Sequence, residues 1–436
     1  MRKKQSGAAV LFVVTALLLA VLIMLLGSYK SLYFRIKRAN NHIESRQEHW
    51  LAEGALECTF AKVQQERDVP STLNDCRTAS DLDSLTISSG ASSIITATKG
   101  YRTLRKTIKL PSFGEPGAIK STSDLIINGS YTSSPDPGRS LGNNEWECTS
   151  VVYESSFYAN NVNTYHPYQL SHKPYAEFPD SSVGSEQNCA SSHYSWDSNV
   201  ASSKSDYRQS STMEPFEDIF DVSRGDWFDV MSNSETFSYV PNSLNGQSWE
   251  SYADLPTPVF NSQCGRDIVS NIERGSDLIW VYGGCEITTT DFQAIEGAID
   301  SYLSGSGIIL VVQDGILSTK GTQNFTGLLY HFISPEFADP STSFAPDFLD
   351  CSNSENNADL EGVIDTVSSF VSINKERVSY FQHGSFNPLG GFVMDAPGTF
   401  ALFNTSLSFK YNRDVIKEPK KKLKRIHWQR GSWNDL

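Results

Sequence analysis

At 436 residues, with 39% apolar side chains and ample aromatics, the chain is long enough for one large domain or two with buried cores. Its formal charge of −14 excludes a general nucleic-acid binder, whose surface must answer a polyanion. It carries no G-x-S-x-G, no phosphate-binding loop, no H-E-x-x-H and no dinucleotide glycine fingerprint, and its eight histidines are scattered, so no enzyme is expected. His331 and His383 read as packed or surface residues rather than bases.

The first element is a span without charge, Ala8 to Gly27, preceded by Met1-Arg2-Lys3-Lys4-Gln5-Ser6-Gly7. As a helix these twenty residues cover roughly 30 Å, the thickness of a bilayer's hydrocarbon core. Helix is the conformation that satisfies a lone segment's backbone in lipid. A secretory signal would place small residues after the apolar run, where it is cut, but Ser28-Tyr29-Lys30-Ser31-Leu32-Tyr33 stands there. The small residue, Gly7, comes before the run instead. No proline interrupts Ser28 to Asp68, and Pro70 is the natural stop. Leu32, Ile36, Ala39, Ile43, Trp50, Gly54, Cys58 and Ala61 recur at helical spacing, so one apolar stripe continues down a helix of about 60 residues, roughly 90 Å long. Arg2, Lys3 and Lys4 before the span nearly balance Lys30, Arg35, Lys37 and Arg38 after it, so charge alone does not fix orientation.

A glycine-ended basic leader before an apolar helix that continues into a striped half resembles prepilins of type IV pili and pseudopilins of type II secretion. The run Gln5-Ser6-Gly7-Ala8-Ala9-Val10-Leu11 and the later Arg46-Gln47 … Ala52-Glu53-Gly54-Ala55-Leu56-Glu57 look like the PilX group of minor pilins. The resemblance implies cleavage after Gly7 by a prepilin peptidase, a mature chain starting at Ala8, and a helix packed in a filament core. Most pilins have glutamate five residues after the cut, where it neutralises the terminal amine of a neighbour. Phe12 stands at that position here, as in PilX-type pilins and K-type minor pseudopilins placed at filament tips. An unpaired carboxylate in lipid is expensive, so a subunit with no neighbour above does better without one. The implied partners are other minor and major pilins and the inner-membrane pilus assembly machinery. The implied location is single-pass in the inner membrane with a periplasmic head, later at the pilus tip. The rival reading is an anchored periplasmic binding or sensor protein whose helix never leaves the membrane.

Seven cysteines lie beyond the span, none in a C-x-x-C pair and none with histidines at metal-ligand spacing, so disulfides in an oxidising compartment are expected. Cys58 with Cys76 would pin the helix end to the next loop, Cys264 with Cys285 is a second candidate pair, and because the count is odd at least one cysteine is free or pairs elsewhere. Leu85–Ser88, Ser93–Lys99 and Tyr101–Leu110 read as short strands, followed by Asp124 to Ser130, a strand ending in an Asn-Gly turn. Tyr131 to Met213, rich in Ser, Asn and Tyr, reads as a long looped surface insertion, with a composition that also suits recognition surfaces.

Pro215–Phe220 and Asp226–Met231 read as short helices. Leu278–Tyr282 and Ile308–Val312 are continuous apolar strands around a helix with Phe292, Ile295, Ile299 and Leu303 inward, Thr290 and Gln293 as its capping box, and Gly305-Ser306-Gly307 as its stop: a βαβ pattern. Gly315–Leu317, Gly327–Phe332, Gly391–Met394 and Phe400–Phe403 form a glycine-punctuated strand series, which suggests either stacked coils of a β-solenoid or a meander. Between them a helix over Asp359–Val371 turns Leu360, Val363, Val367 and Phe370 inward. Asp350 to Glu361 has acidic ends with Asn353, Asn356 and Asn357 between them, yet Glu355 stands where the EF-hand loop needs glycine. No cofactor is therefore expected, and calcium, which K-type pseudopilins bind, is the one candidate ion. The basic run Lys417 to Arg425 precedes a tail with Trp428 and Trp433, which are costly to leave exposed.

The expected class is α+β: a long amino-terminal pilin-like helix, membrane-spanning in its first half, then a β-rich head with a few short helices, part of it a candidate β-solenoid. The boundaries are 1–7 leader, 8–69 helix (8–27 in the membrane), 70–130 pilin-like β region, 131–213 insertion, 214–410 mixed head and 411–436 basic tail. The expected role is a structural subunit that primes pilus assembly and sits at its tip, contributing to surface adhesion.

Overall fold

A computed structural model of the chain describes residues 6–66, 69–88, 92–109, 117–165, 173–180, 186–337, 354–368, 370–404, 407–423, 426–429, 431–432 and 434–435. The chain is α+β, with a long amino-terminal helix and a β-rich head of parallel sheets and few helices. It forms two compact units, Met1–Leu110 with Ile426–Leu436, and Pro111–Arg425.

In the first unit the helix Ser6–Glu66 lays its last turns on an antiparallel sheet of Ser84–Ile87, Ser92–Lys99 and Arg102–Lys109. Ala52, Ala55, Leu56, Thr59 and Val63 are buried there against Ile95, Ala97, Leu104 and Ile108. Two alanines let the helix axis approach closely, and the Thr59 hydroxyl donates to the Ala55 carbonyl at 2.8 Å, so no polar atom is stranded. This face is not the stripe expected from Leu32, Ile36, Ile43 and Trp50, which stay 56, 52, 56 and 67% exposed. At 100° per residue the two stripes lie roughly half a turn apart. The sequence stripe is a second apolar face, one that the protein's own sheet leaves uncovered.

The carboxyl end, expected as a tail from residue 411, divides. Lys417–Leu423 is a helix of the second unit, where Lys422 pairs with Asp277 at 2.6 Å and Lys421 with Glu418 at 3.0 Å. His427–Trp428 and Asn434–Asp435 instead pair with Arg102–Lys109. Trp428 stacks on Phe60, centroids 4.4 Å apart, with the Lys106 ammonium 4.8 Å from its ring. A partly buried aromatic contact therefore fastens this segment to the helix.

The second unit is built from parallel strands. One sheet has eight, in the order Tyr207–Gln209, Val151–Tyr153, Ile119–Ser121, Gly391–Asp395, Gly327–Phe332, Ile308–Gln313, Leu278–Tyr282 and Ser238–Val240. The other stacks Cys285–Ile287, Leu317–Lys320, Val378–His383, Phe400–Asn404 and Asp124–Ser134, the last pairing with both Leu407–Lys410 and Phe157–Thr164. From Leu278 to Asn404 successive strands alternate between the two sheets, apart from Gln323–Phe325 and Phe386–Pro388, which pair with each other. The facing interior holds Leu310, Val312, Leu329, Leu317, Tyr380 and Phe403. The outer side of the first sheet is covered by a second cluster around Phe216, Phe220 and Trp227 from the helices Pro215–Phe220 and Trp227–Met231. Strands covered on both faces have no reason to alternate, which is why Leu278–Tyr282 and Ile308–Gln313 read as unbroken apolar runs.

Stacking also explains the punctuating glycines. A Cβ on Gly390 would lie 2.8 Å from the Gly327 backbone, and one on Gly327 only 2.4 Å from the Ile308 carbonyl oxygen. At these corners successive passes touch backbone to backbone, and only glycine leaves room.

Four expectations are corrected. Asn128-Gly129 is no turn: the strand runs on from Asp124 to Ser134 through a register shift between Ile127 and Ser130. Residues 131–213 are not a loose insertion; they supply Val151–Tyr153, Phe157–Thr164 and Tyr207–Gln209, stapled by Cys148–Cys189. Several of their interior positions are polar, and among these Thr164 and Ser195 both donate to buried Asp206, each at 2.7 Å. The helix after Leu278–Tyr282 spans Thr289–Tyr302 and is capped by Thr288 with Asp291, not Thr290 with Gln293, because the short strand Cys285–Ile287 intervenes. The later helix is Ser354–Val367, and Phe370 beyond it is 66% exposed although Leu360, Val363 and Val367 are buried.

Candidate functional site

The residues singled out by sequence fall on the long helix and on the cysteines. Gly7 and Ala8 lie in the first turns of Ser6–Glu66. Phe12, 76% exposed, stands one turn later among Val10, Leu11, Val13 and Val14, all exposed. This is the one helix among the described residues long and apolar enough to cross a membrane, and none of its apolar window is buried by the protein. Its polar atoms are internally satisfied: the Thr15 hydroxyl donates to the Leu11 and Phe12 carbonyls, each at 2.9 Å. No Asp or Glu occurs before Glu44, while Lys30, Arg35, Lys37 and Arg38 follow the span. Below the span the helix has two apolar faces, one on its sheet and one open through Leu32, Ile36, Ile43 and Trp50. The arrangement offers a rod for lipid or for other rods, with a cationic collar where headgroups would lie.

Cys58 and Cys76 are bonded, Cα atoms 5.6 Å apart, and so are Cys264 and Cys285 at 5.6 Å. A third bond joins Cys148 and Cys189, a pair that no spacing in the sequence singles out. Cys351 lies outside the described residues. Cys58–Cys76 closes a separation of 18 residues and ties the helix end to the short helix Asn74–Ala79. Serine at both positions should cost about 2–4 kcal/mol of the first unit's stability, read as a fall in thermal midpoint that dithiothreitol reproduces in the parent. An unchanged midpoint would show that the bond is dispensable.

His331 is fully buried, its Nε2–H donating to the Gly315 carbonyl at 2.9 Å, and burial pushes it down to about 4. Gly305-Ser306-Gly307 is a helix-end turn with Gly305 at φ 83°. Within Asp350–Glu361, residues 350–353 lie outside the described residues and Ser354 onward is helix. Among the described residues no group of three or more His, Cys, Asp or Glu is placed to share an ion. Comparison with known protein families, with curated proteins and with solved structures finds no match.

Proposed function

We propose that this chain is a minor pilin-like structural subunit that primes and then sits at the tip of a type IV pilus or related filament, and that its head is a β-solenoid contributing to surface adhesion. One observation carries the reading: a single 61-residue helix with a bare, uncharged span from Ala8 to Gly27 and its last turns laid on an antiparallel sheet. A plain anchor has no need of an unbroken rod, nor of an apolar stripe continuing opposite its sheet. Both suit a helix that leaves lipid to pack among others like it. Phe12 supports tip placement, because a subunit with nothing above it gains nothing from a carboxylate in that position. The alternation of strands between two parallel sheets, with glycines where passes touch, supports the solenoid reading.

Processing after Gly7 is the test. Amino-terminal sequencing of the membrane-extracted protein, expressed beside a prepilin peptidase, should read from Ala8, and Gly7→Leu should abolish cleavage and filament incorporation together. A mature chain beginning at Met1, or full assembly of the Gly7→Leu variant, would overturn the reading in favour of a single-pass anchored binding or sensor protein.

A further inference from the structure

Where the first parallel sheet of the head hands over to the second, the ends of Leu278–Tyr282 and Ile308–Gln313 and the turn after Gly327–Phe332 open onto a cavity of about 210 Å³. Its wall carries four aromatic rings, Trp227, Tyr252, Tyr282 and Phe337, and two carboxyl groups, Asp314 and Glu336. Among the described residues no lysine, arginine or histidine lines it.

Asp314 has φ 55°, in the left-handed region that a non-glycine residue seldom adopts. Its N–H donates to the Phe332 carbonyl at 3.0 Å, and its carboxylate accepts from the Ser334 N–H at 2.6 Å, the Ser334 hydroxyl at 2.9 Å and the Gln313 amide at 2.6 Å. Burial, reinforced by the like charge of Glu336, pushes its carboxyl up to about 6. Tyr282, only 5% exposed, adds its ring to the wall. Trp227 donates its indole N–H to Glu336 at 3.0 Å, which ties the outer carboxylate to the ring wall. Four rings and two carboxyls that converge on one cavity from separate segments point to an occupant rather than to packing.

We propose that this cavity binds an organic cation, an ammonium group carried by a small molecule or a lysine side chain. Ring faces attract a desolvated cation, and two carboxyls supply the countercharge that leaving water demands. An anion would meet only like charge. A neutral sugar could stack on the rings but would leave the negative charge of the two carboxyls unanswered. The proposal does not depend on the pilin reading, since the cavity would serve an anchored receptor equally.

The test uses the full chain in a neutral polyoxyethylene detergent, titrated calorimetrically at constant ionic strength. The probes are tetramethylammonium chloride, N-acetyl-lysine methylamide and methyl glucoside. At least one ammonium should bind with millimolar affinity, weakened about tenfold or more by Glu336→Gln and by Tyr252→Ala. Both substitutions fall on exposed residues, and unchanged circular dichroism would show the fold intact. Stronger binding of tetramethylammonium assigns a quaternary headgroup, and stronger binding of the lysine derivative assigns a protein side chain. Binding of methyl glucoside alone, ammonium binding indifferent to both substitutions, or no binding of any probe up to about 50 mM, a limit near 2 kcal/mol, overturns the proposal.

Discussion

Gly315→Ala should destabilise the head severely. The added methyl carbon would sit 2.1 Å from the Gly284 nitrogen and 2.4 Å from the Gly283 carbonyl carbon, both backbone atoms. Neither can swing aside, because Gly283 N–H donates to Gln313 at 2.8 Å and Cys285 N–H to Ile316 at 2.9 Å, the bonds that hold one pass to the next. Overpacking against side chains costs about 1–3 kcal/mol, and here the only relief is to part the stack. Against a total stability on the order of 5–15 kcal/mol, a loss above about 3 kcal/mol is expected, read as the urea midpoint of tryptophan fluorescence. Gly297→Ala is the control: it lies in the helix Thr289–Tyr302 with nothing within 4 Å, and alanine there should stabilise by about 0.5–1 kcal/mol. Equal midpoints for Gly315→Ala and the parent would refute the backbone-contact account.

The second large effect is electrostatic. His331 is held down to about 4 by burial, below an unfolded value near 6.5, so the unfolded chain takes up the proton first. Its contribution is complete above about pH 6.5 and is lost as pH falls through about 4. Asp314 is held up to about 6 by burial, above an unfolded value near 3.8, so here the folded chain keeps the proton. Its contribution is complete below about 3.8 and is lost as pH rises through about 6. Each is worth about 3 kcal/mol, and over the shared window they oppose one another. Asp314→Asn keeps a residue tolerant of a left-handed backbone and removes one arm, so its stability should fall by about 3 kcal/mol more than the parent's between pH 7 and 4. His331→Gln keeps a donor for Gly315 and should fall by about 3 kcal/mol less. Parallel urea-midpoint profiles across that range for parent and both variants would refute the assignment of these two groups.

The legible parts of the fold were those governed by local rules. The long helix was readable because it contains no proline, and Gly327–Phe332 because a glycine corner bounds a run buried on both faces. The helix face was misassigned because Leu32, Ile36, Ile43 and Trp50 outweigh Ala52, Ala55 and Thr59 in any reading by hydrophobicity, although the small residues are the ones that permit close packing. Residues 131–213 looked like loop because Ser150, Thr164 and Asp206 occupy interior positions, and whether such residues are satisfied depends on partners that composition does not reveal. The cavity was invisible for a related reason. Trp227, Tyr252, Tyr282 and Asp314 converge from four separate segments, and no spacing in the chain relates them.

The strand Ile119–Ser121 has Val151–Tyr153 on one side and Gly391–Asp395 on the other, and the Thr122 hydroxyl reaches the Met394 carbonyl 272 residues further along. Delivered amino end first at about 5–20 residues per second, the chain leaves that flank bare for tens of seconds before its mate emerges. An unpaired row of amides is a template for any passing strand, so this interval is when the protein is most open to clumping and most in need of an escort. Maturation of the head is accordingly a late, all-at-once closure and not a gradual winding, and a truncation before residue 391 should yield aggregate rather than a shorter working head.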